Sequence, residues 1–303
     1  MLLQIFRNMD PLTDPVIYAI PFFLSAIGTE LYINWKEKLE LYEKKEALSS
    51  IGMGIGSLII DILTKGLAFG TYTIIFNHFH FFNIGWHWWA WVLILFADDF
   101  TFYWHHRLSH EIRVLWAAHV NHHSSQTMNL ATALRQSWGE QFYKYIWWCW
   151  MPLVGFEPLM MLMMMSLSLI YQYWVHTELI KKLPAWYEFI FNTPSHHRVH
   201  HASNIRYLDQ NHAGILIIWD RLFGTFAAER DDEKLIYGIT KNIETFNLFK
   251  IASHEYIDLG KDVHRAPKFS DKLKYIFYPP GWSHDGPDLT ARNLRKQLKN
   301  KEK

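Results

Sequence analysis

The order of apolar and polar positions divides the chain into long hydrophobic stretches separated by charged segments. Four stretches carry few charged residues and cover residues 16–33, 51–76, 81–104 and 145–174. At 1.5 Å per residue, about 20 helical residues cross a bilayer. The pattern therefore predicts membrane helices. The alternative is that these stretches are buried core helices of a large soluble protein.

The fourth stretch is longer than one upright crossing needs. It contains a single charged residue, Glu157, which lies beside Pro158. Proline disfavours a helix through the residue before it, and Gly155 lies just upstream. We expect a hairpin that bends at residues 155–158, with one long tilted helix as the alternative.

Composition and charge narrow the function classes. Lys and Arg total 30 against 29 Asp and Glu, so the net charge of +1 gives no reason to expect nucleic-acid binding. Lysines in the loop 36–45 and basic residues in the tail 292–303 predict that both segments are cytoplasmic. We expect one membrane-embedded domain over 1–303, with a histidine core at about 99–228 and a cytosolic extension at 229–303.

The candidate chemistry lies in histidines at helical spacing. Residues three or four apart share a helix face, and neutral imidazole is a ligand for iron, zinc and copper. Eight such ligands exceed the needs of one ion, so the pattern predicts two ions side by side. The eight form three groups: His106 and His110; His119, His122 and His123; His197, His200 and His201.

Helix geometry requires a break between the first two groups. In one straight helix His110 and His119 would lie about 180° apart and could not meet. No Pro or Gly lies between them, so the sequence does not locate the break. The third group has a clear start, because Thr193 is a cap residue and Pro194 suits the first helical position.

Longer motifs around these histidines resemble the fatty acid hydroxylase/sterol desaturase superfamily, and most closely its branch that oxidises alkylglycerol ether lipids. The resemblance runs from about residue 99 to 228, with weaker similarity to near 285. The motifs are WHHRLSHE at 104–111, HVNHHSS at 119–125, NLATALRQS at 129–137, YQYWVHTE at 171–178, NTPSHHRVHH at 192–201 and LIIWDRLFGTF at 216–226.

The resemblance implies an all-α, multi-pass membrane enzyme whose cytosolic helical cap holds a histidine-bound di-iron site. The membrane would be the endoplasmic reticulum in a eukaryote or the cytoplasmic membrane in a bacterium. It implies the eight histidines as ligands and His176 as a further ligand or a near neighbour of the ligands, although Gln172 stands where some relatives have another histidine. Glu111 matches an acidic residue beside the second histidine and is the catalytic candidate. Asp98 and Asp99 are expected to pair with a ligand histidine or with Arg107.

The implied activity is O2-dependent hydroxylation of the carbon next to the ether oxygen of an alkylglycerol, giving a fatty aldehyde and glycerol. The implied reductant is tetrahydrobiopterin. The chain departs from the branch at Gln126, where the branch has Glu, and at His212-Ala213-Gly214, where it has Tyr-Gly-Gly. His212 is expected to be an ordinary surface or loop residue, with a place in the pocket lining as the alternative.

Two other functions fit the pattern less closely. A sterol or fatty acyl hydroxylase or desaturase of the same superfamily would keep the histidines and change the substrate. A zinc-handling membrane protein would need no redox chemistry. Transporters place ligands at mid-membrane, whereas these histidines lie in polar segments that contain arginine, which favours an enzyme.

Overall fold

The computed structural model describes residues 14–302. Within them it contains twelve α-helices and no β-strand, which confirms the predicted all-α fold. Three short 3-10 helices lie between α4 and α5, at Thr132–Leu134, Glu140–Phe142 and Lys144–Trp148. The helices are α1 Pro15–Glu37, α2 Lys44–Phe79, α3 Trp88–Glu111, α4 Arg113–His123, α5 Trp150–Val154, α6 Pro158–Trp174, α7 Ala185–Ile190, α8 Pro194–His200, α9 Ile218–Phe223, α10 Leu248–Arg265, α11 Phe269–Phe277 and α12 Ala291–Lys301.

Helices α1 and α2 are the two in residues 14–302 that are long and apolar enough to cross a membrane. Only 11% and 22% of the residues in their most apolar windows are buried. Large side chains such as Leu24, Ile62 and Leu67 are exposed. Core helices of a soluble protein bury such side chains, so this exposure is typical of helices that face lipid.

The third and fourth apolar stretches form α3 and the segment α5–α6, which pack against α2. Tyr72 of α2, Ile94 of α3 and Met161 of α6 share one buried apolar cluster. Both stretches thus bury one face in the protein core, in addition to any contact with lipid.

The predicted bend in the fourth stretch lies between Gly155 and Pro158. Helix α5 ends at Val154, Gly155 follows with φ 116°, and Pro158 begins α6. A Cβ at residue 155 would overlap the carbonyl oxygen of Phe82. Glycine is therefore required both for the left-handed backbone and for the close approach of the chain.

The break between the first two histidine groups is a single extended residue, Ile112, with φ −123° and ψ 117°. It separates α3 from α4. The backbone N–H of Arg113 donates to the carbonyl of Tyr278 at 3.1 Å. The Arg113 side chain also pairs with Glu255 and Asp262 of α10, both at 2.8 Å. The C-terminal extension thus packs against the element that carries the second histidine group.

Candidate metal centre

The nine histidines predicted from the sequence converge into two clusters. Within each cluster, one ligand atom from every residue lies within 4.8 Å of the others, and all nine side chains are buried. The first cluster contains His106, His110, His119, His123 and His200, and the second contains His122, His176, His197 and His201. The two clusters adjoin, since the ring centroids of His123 and His201 are 4.5 Å apart.

Each H-x2-H-H motif supplies both clusters. Consecutive helical residues point about 100° apart, so His122 and His123 of α4 turn towards different clusters. His200 and His201 at the end of α8 do the same. The doubled histidine is therefore what allows one short helix to serve two neighbouring sites.

Hydrogen bonds on the outer side of the histidine rings determine which ring nitrogen presents its lone pair to the first cluster. Nδ1 of His106 lies 2.8 Å from the carbonyl of His212, and Nδ1 of His119 lies 3.3 Å from a Glu140 carboxylate oxygen. Because these partners only accept, each Nδ1 carries the proton. The two Nε2 atoms are then both acceptors, yet they lie 3.0 Å apart. Two facing lone pairs at this distance need a cation between them.

The second cluster repeats this arrangement. Nδ1 of His122 donates to the carbonyl of Arg135 at 3.1 Å, and Nδ1 of His176 donates to that of Gln172 at 2.9 Å. Their Nε2 atoms are 3.2 Å apart. Burial lowers the pKa of His176 to about 4 and that of His122 well below its ordinary value, so protonation does not relieve the repulsion at neutral pH.

The nitrogen spacings fit metal coordination. Two nitrogens about 2.1 Å from one ion and at right angles to each other are roughly 3.0 Å apart. Observed Nε2 separations are 2.8 Å for His176 and His197 and 3.1 Å for His197 and His201. Nε2 of His110 and Nε2 of His200 are buried with no hydrogen-bond partner among residues 14–302. A metal ion in each cluster would satisfy these groups.

Residues 91–225, which include all nine histidines, match the family model described as fatty acid hydroxylase. These residues form a fatty acid hydroxylase domain. It is 37% identical over 299 residues to alkylglycerol monooxygenase from Xenopus tropicalis, covering 98% of this chain and 66% of that protein. It is 38% identical to the alkylglycerol monooxygenases from Homo sapiens, over 287 residues, and Danio rerio, over 286, in each case covering 94% of this chain and 63% of the relative. The chain thus spans less than two thirds of the length of these relatives. No solved structure matches it.

Two carboxylates that support this fatty acid hydroxylase site were not singled out from the sequence. Glu140 lies 3.3 Å from Nδ1 of His119 and 3.5 Å from Nε2 of His105. Burial opposes its ionisation, but the hydrogen bond from His119 and the charge of Lys144 help to hold its pKa at about 2. Asp209 lies 3.3 Å from Nδ1 of His110. Neither carboxylate has a fixed spacing from its histidine, so no motif marks it.

Arg135, in the TALRQS motif, joins the second cluster to the start of α2. Its carbonyl accepts from His122, and its guanidinium donates to the carbonyl of Asn121 at 3.0 Å. The same guanidinium donates to Glu46 at 3.0 Å and to Ser49 at 2.8 Å. The metal centre therefore lies near the N-terminal end of α2.

The acidic candidates lie outside the two clusters. Glu111 accepts a hydrogen bond from Arg107 at 2.9 Å and is partly exposed, and its catalytic role stays a prediction. The expected pairing of Asp98 and Asp99 with a ligand histidine or Arg107 is wrong. Asp99 instead accepts from the backbone N–H groups of residues 215 and 216, and Asp98 accepts from Trp148 at 2.7 Å. Asp99 thus holds the backbone of the loop before α9, and Asp98 holds the indole of Trp148.

Proposed function

We propose that this protein is a membrane monooxygenase that uses two iron ions to hydroxylate the carbon next to the ether oxygen of alkylglycerol lipids. The observation that carries the proposal is the pair of adjacent clusters built from histidine alone. The similarity to alkylglycerol monooxygenases supports the choice of substrate.

The reaction balances with O2 and a two-electron reductant, for which we propose tetrahydrobiopterin. One oxygen atom enters the C–H bond and the other leaves as water. The hydroxylated carbon then carries both a hydroxyl and the ether oxygen, which is a hemiacetal. Its C–O bond breaks as the hydroxyl proton is lost, and a fatty aldehyde and glycerol are released.

Iron held by nitrogen ligands, with coordination positions left open, supplies the reduction of O2 that this hydroxylation needs. The chain contributes orientation and exclusion of water. Backbone carbonyls behind His106, His122 and His176 fix each ring with its Nε2 inward. Such supporting contacts keep ligand geometry within the narrow range that catalysis needs. Burial of all nine histidines keeps bulk water away from the reacting atoms.

A membrane location suits a lipid substrate and agrees with the exposed apolar faces of α1 and α2. The proposed cytoplasmic orientation of the site follows from the charges near it. Lys44 and Lys45 lie at the start of α2, in the same turns as Glu46, which pairs with Arg135 beside the second cluster. Positive residues at a helix end favour the cytoplasmic side.

The test is aldehyde release from an alkylglycerol by iron-loaded membranes, with and without tetrahydrobiopterin. We expect aldehyde only when both O2 and the pterin are present, and a loss of at least about 100-fold in the variant His197→Ala. A protein that contains two irons and releases no aldehyde would contradict the substrate assignment. Sterols and fatty acyl lipids would then be the next substrates to assay. Aldehyde release that does not depend on the pterin would reject the proposed reductant.

A further inference from the structure

His212 is a fully buried imidazole outside the nine histidines. Its side chain is inaccessible to solvent, and neither ring nitrogen has a hydrogen-bond partner in the described part of the chain. The backbone of Asp209 lies near the ring without reaching hydrogen-bond geometry. Buried polar groups are nearly always paired, so an imidazole with two free nitrogens indicates a partner that is not part of the chain.

Hydrogen bonds fix the backbone around His212. The N–H groups of His212 and Ala213 donate to the two carboxylate oxygens of Asp220, at 2.8 and 2.9 Å. The carbonyl of His212 accepts from Nδ1 of His106 at 2.8 Å. A ligand of the first cluster and the His212 ring are thus held by the same turn.

The ring of His212 lies beside three histidines of the first cluster. Its centroid lies 5.0 Å from that of His110 and 5.7 Å from those of His106 and His200. Nε2 of His110 and Nε2 of His200 are the buried atoms without partners noted above. His212 does not converge with the five first-cluster histidines on one point, so it lies beside the proposed ion as a neighbour.

We propose that His212 hydrogen-bonds the small oxidant or anion that the first cluster would bind together with its metal ion. Neutral imidazole can donate from one nitrogen and accept at the other, and a donor held in place stabilises negative charge that develops on oxygen. This inference rests on the metal centre of the proposed function and adds a residue that contacts the reacting molecule.

The test is a titration of the iron-loaded full chain with azide, in which visible absorption measures the binding. His212→Phe keeps a ring of similar size and removes both nitrogens, and we expect it to weaken azide binding about tenfold while two ions per chain are retained. His212→Gln keeps an N–H donor and should bind azide with intermediate affinity. The matched control is His264→Phe, which changes an exposed histidine of α10 and should leave azide affinity unchanged.

Three results would overturn the proposal. Unchanged azide affinity in His212→Phe would show that the ring does not contact the bound anion. Loss of one ion from this variant would make His212 a metal ligand. If His212→Phe does not fold, His212→Gln and His212→Ala replace it in the test. Azide affinity equal to that of the wild type in both would likewise show that the ring does not contact the bound anion. Azide binding requires no lipid, so failure to cleave alkylglycerols would reject the substrate assignment and leave the role of His212 standing.

Discussion

In six of the nine clustered histidines, a contact on the far side of the ring sets which nitrogen faces the cluster. Four of these contacts are to backbone carbonyls, which any residue provides, and two are to carboxylates. The carbonyls belong to His212, Arg135, Gln172 and Gln210, and the carboxylates to Glu140 and Asp209. The identity of a residue whose carbonyl is used leaves no signal in the sequence.

Replacement of Glu140 should weaken metal binding. In Glu140→Gln the charge behind His119 is removed, so we expect a 10- to 100-fold lower metal affinity, measured by competition with a chelator. Glu111→Gln is the matched control, because Glu111 pairs with Arg107 and not with a histidine ring. That control should keep the metal affinity of the wild type.

The same two variants separate the roles of the two carboxylates. If Glu111 is catalytic, as the sequence predicts, Glu111→Gln loses activity and retains both ions. Equal metal affinity in Glu140→Gln and the wild type would contradict the account of Glu140. A Glu111 variant with full activity would reject the prediction for that residue.

The eight motif histidines could be singled out as ligand candidates because their spacing of three and four is set by the helix itself. Glu140 was not predictable, since it reaches His119 from a separate 3-10 helix. Asp99 shows the same limit. It lies close to the first histidine group in sequence, but its partners are backbone N–H groups more than a hundred residues away. Local spacing identifies groups that share one helix and misses groups that meet only in the folded chain.

The helix interruptions at Gly155 and at Ile112 also differ in whether the local sequence determines their position. The bend at Gly155 depends on glycine and proline at that point, and the sequence located it. The break at Ile112 depends on a hydrogen bond from Arg113 to Tyr278, which lies far along the chain. Helix phase required a break between His110 and His119, but only the tertiary contact fixes its position.

Substitution of Gly155 tests the bend. Gly155→Ala places a Cβ against the Phe82 carbonyl in a backbone with φ 116°, so we expect the melting temperature in detergent to fall by several degrees. Gly66→Ala in α2 is the matched control, because a Cβ there meets no atom within 4 Å. It should leave the melting temperature unchanged or slightly higher. Equal melting temperatures for both variants would show that the bend does not need glycine.

At the scale of the whole molecule, apolar surface and metal site lie in separate regions. Helices α1 and α2 expose apolar faces, whereas the clusters are enclosed by α3, α4, α8 and the loops around them. The composition and the apolar stretches predicted this division. The number of membrane crossings stays a prediction, since the third and fourth stretches are partly used to build the core.

Membrane integration should be visible in extraction experiments. We expect the protein to stay in the membrane pellet after washes with high salt and with alkaline carbonate, and to be released by detergent, because we propose that the exposed apolar faces of α1 and α2 lie in lipid. Release by carbonate alone would indicate a surface-bound protein and would contradict the membrane assignment for α1 and α2.

The most direct test of the central claim is the number of iron ions bound per chain after anaerobic loading of the purified protein. We predict two ions in the full chain and about one in His176→Ala, which removes a proposed ligand from the second cluster only. His264→Ala should retain two. One ion or none in the full chain, or two in the His176 variant, would contradict the claim that the two clusters each hold an ion.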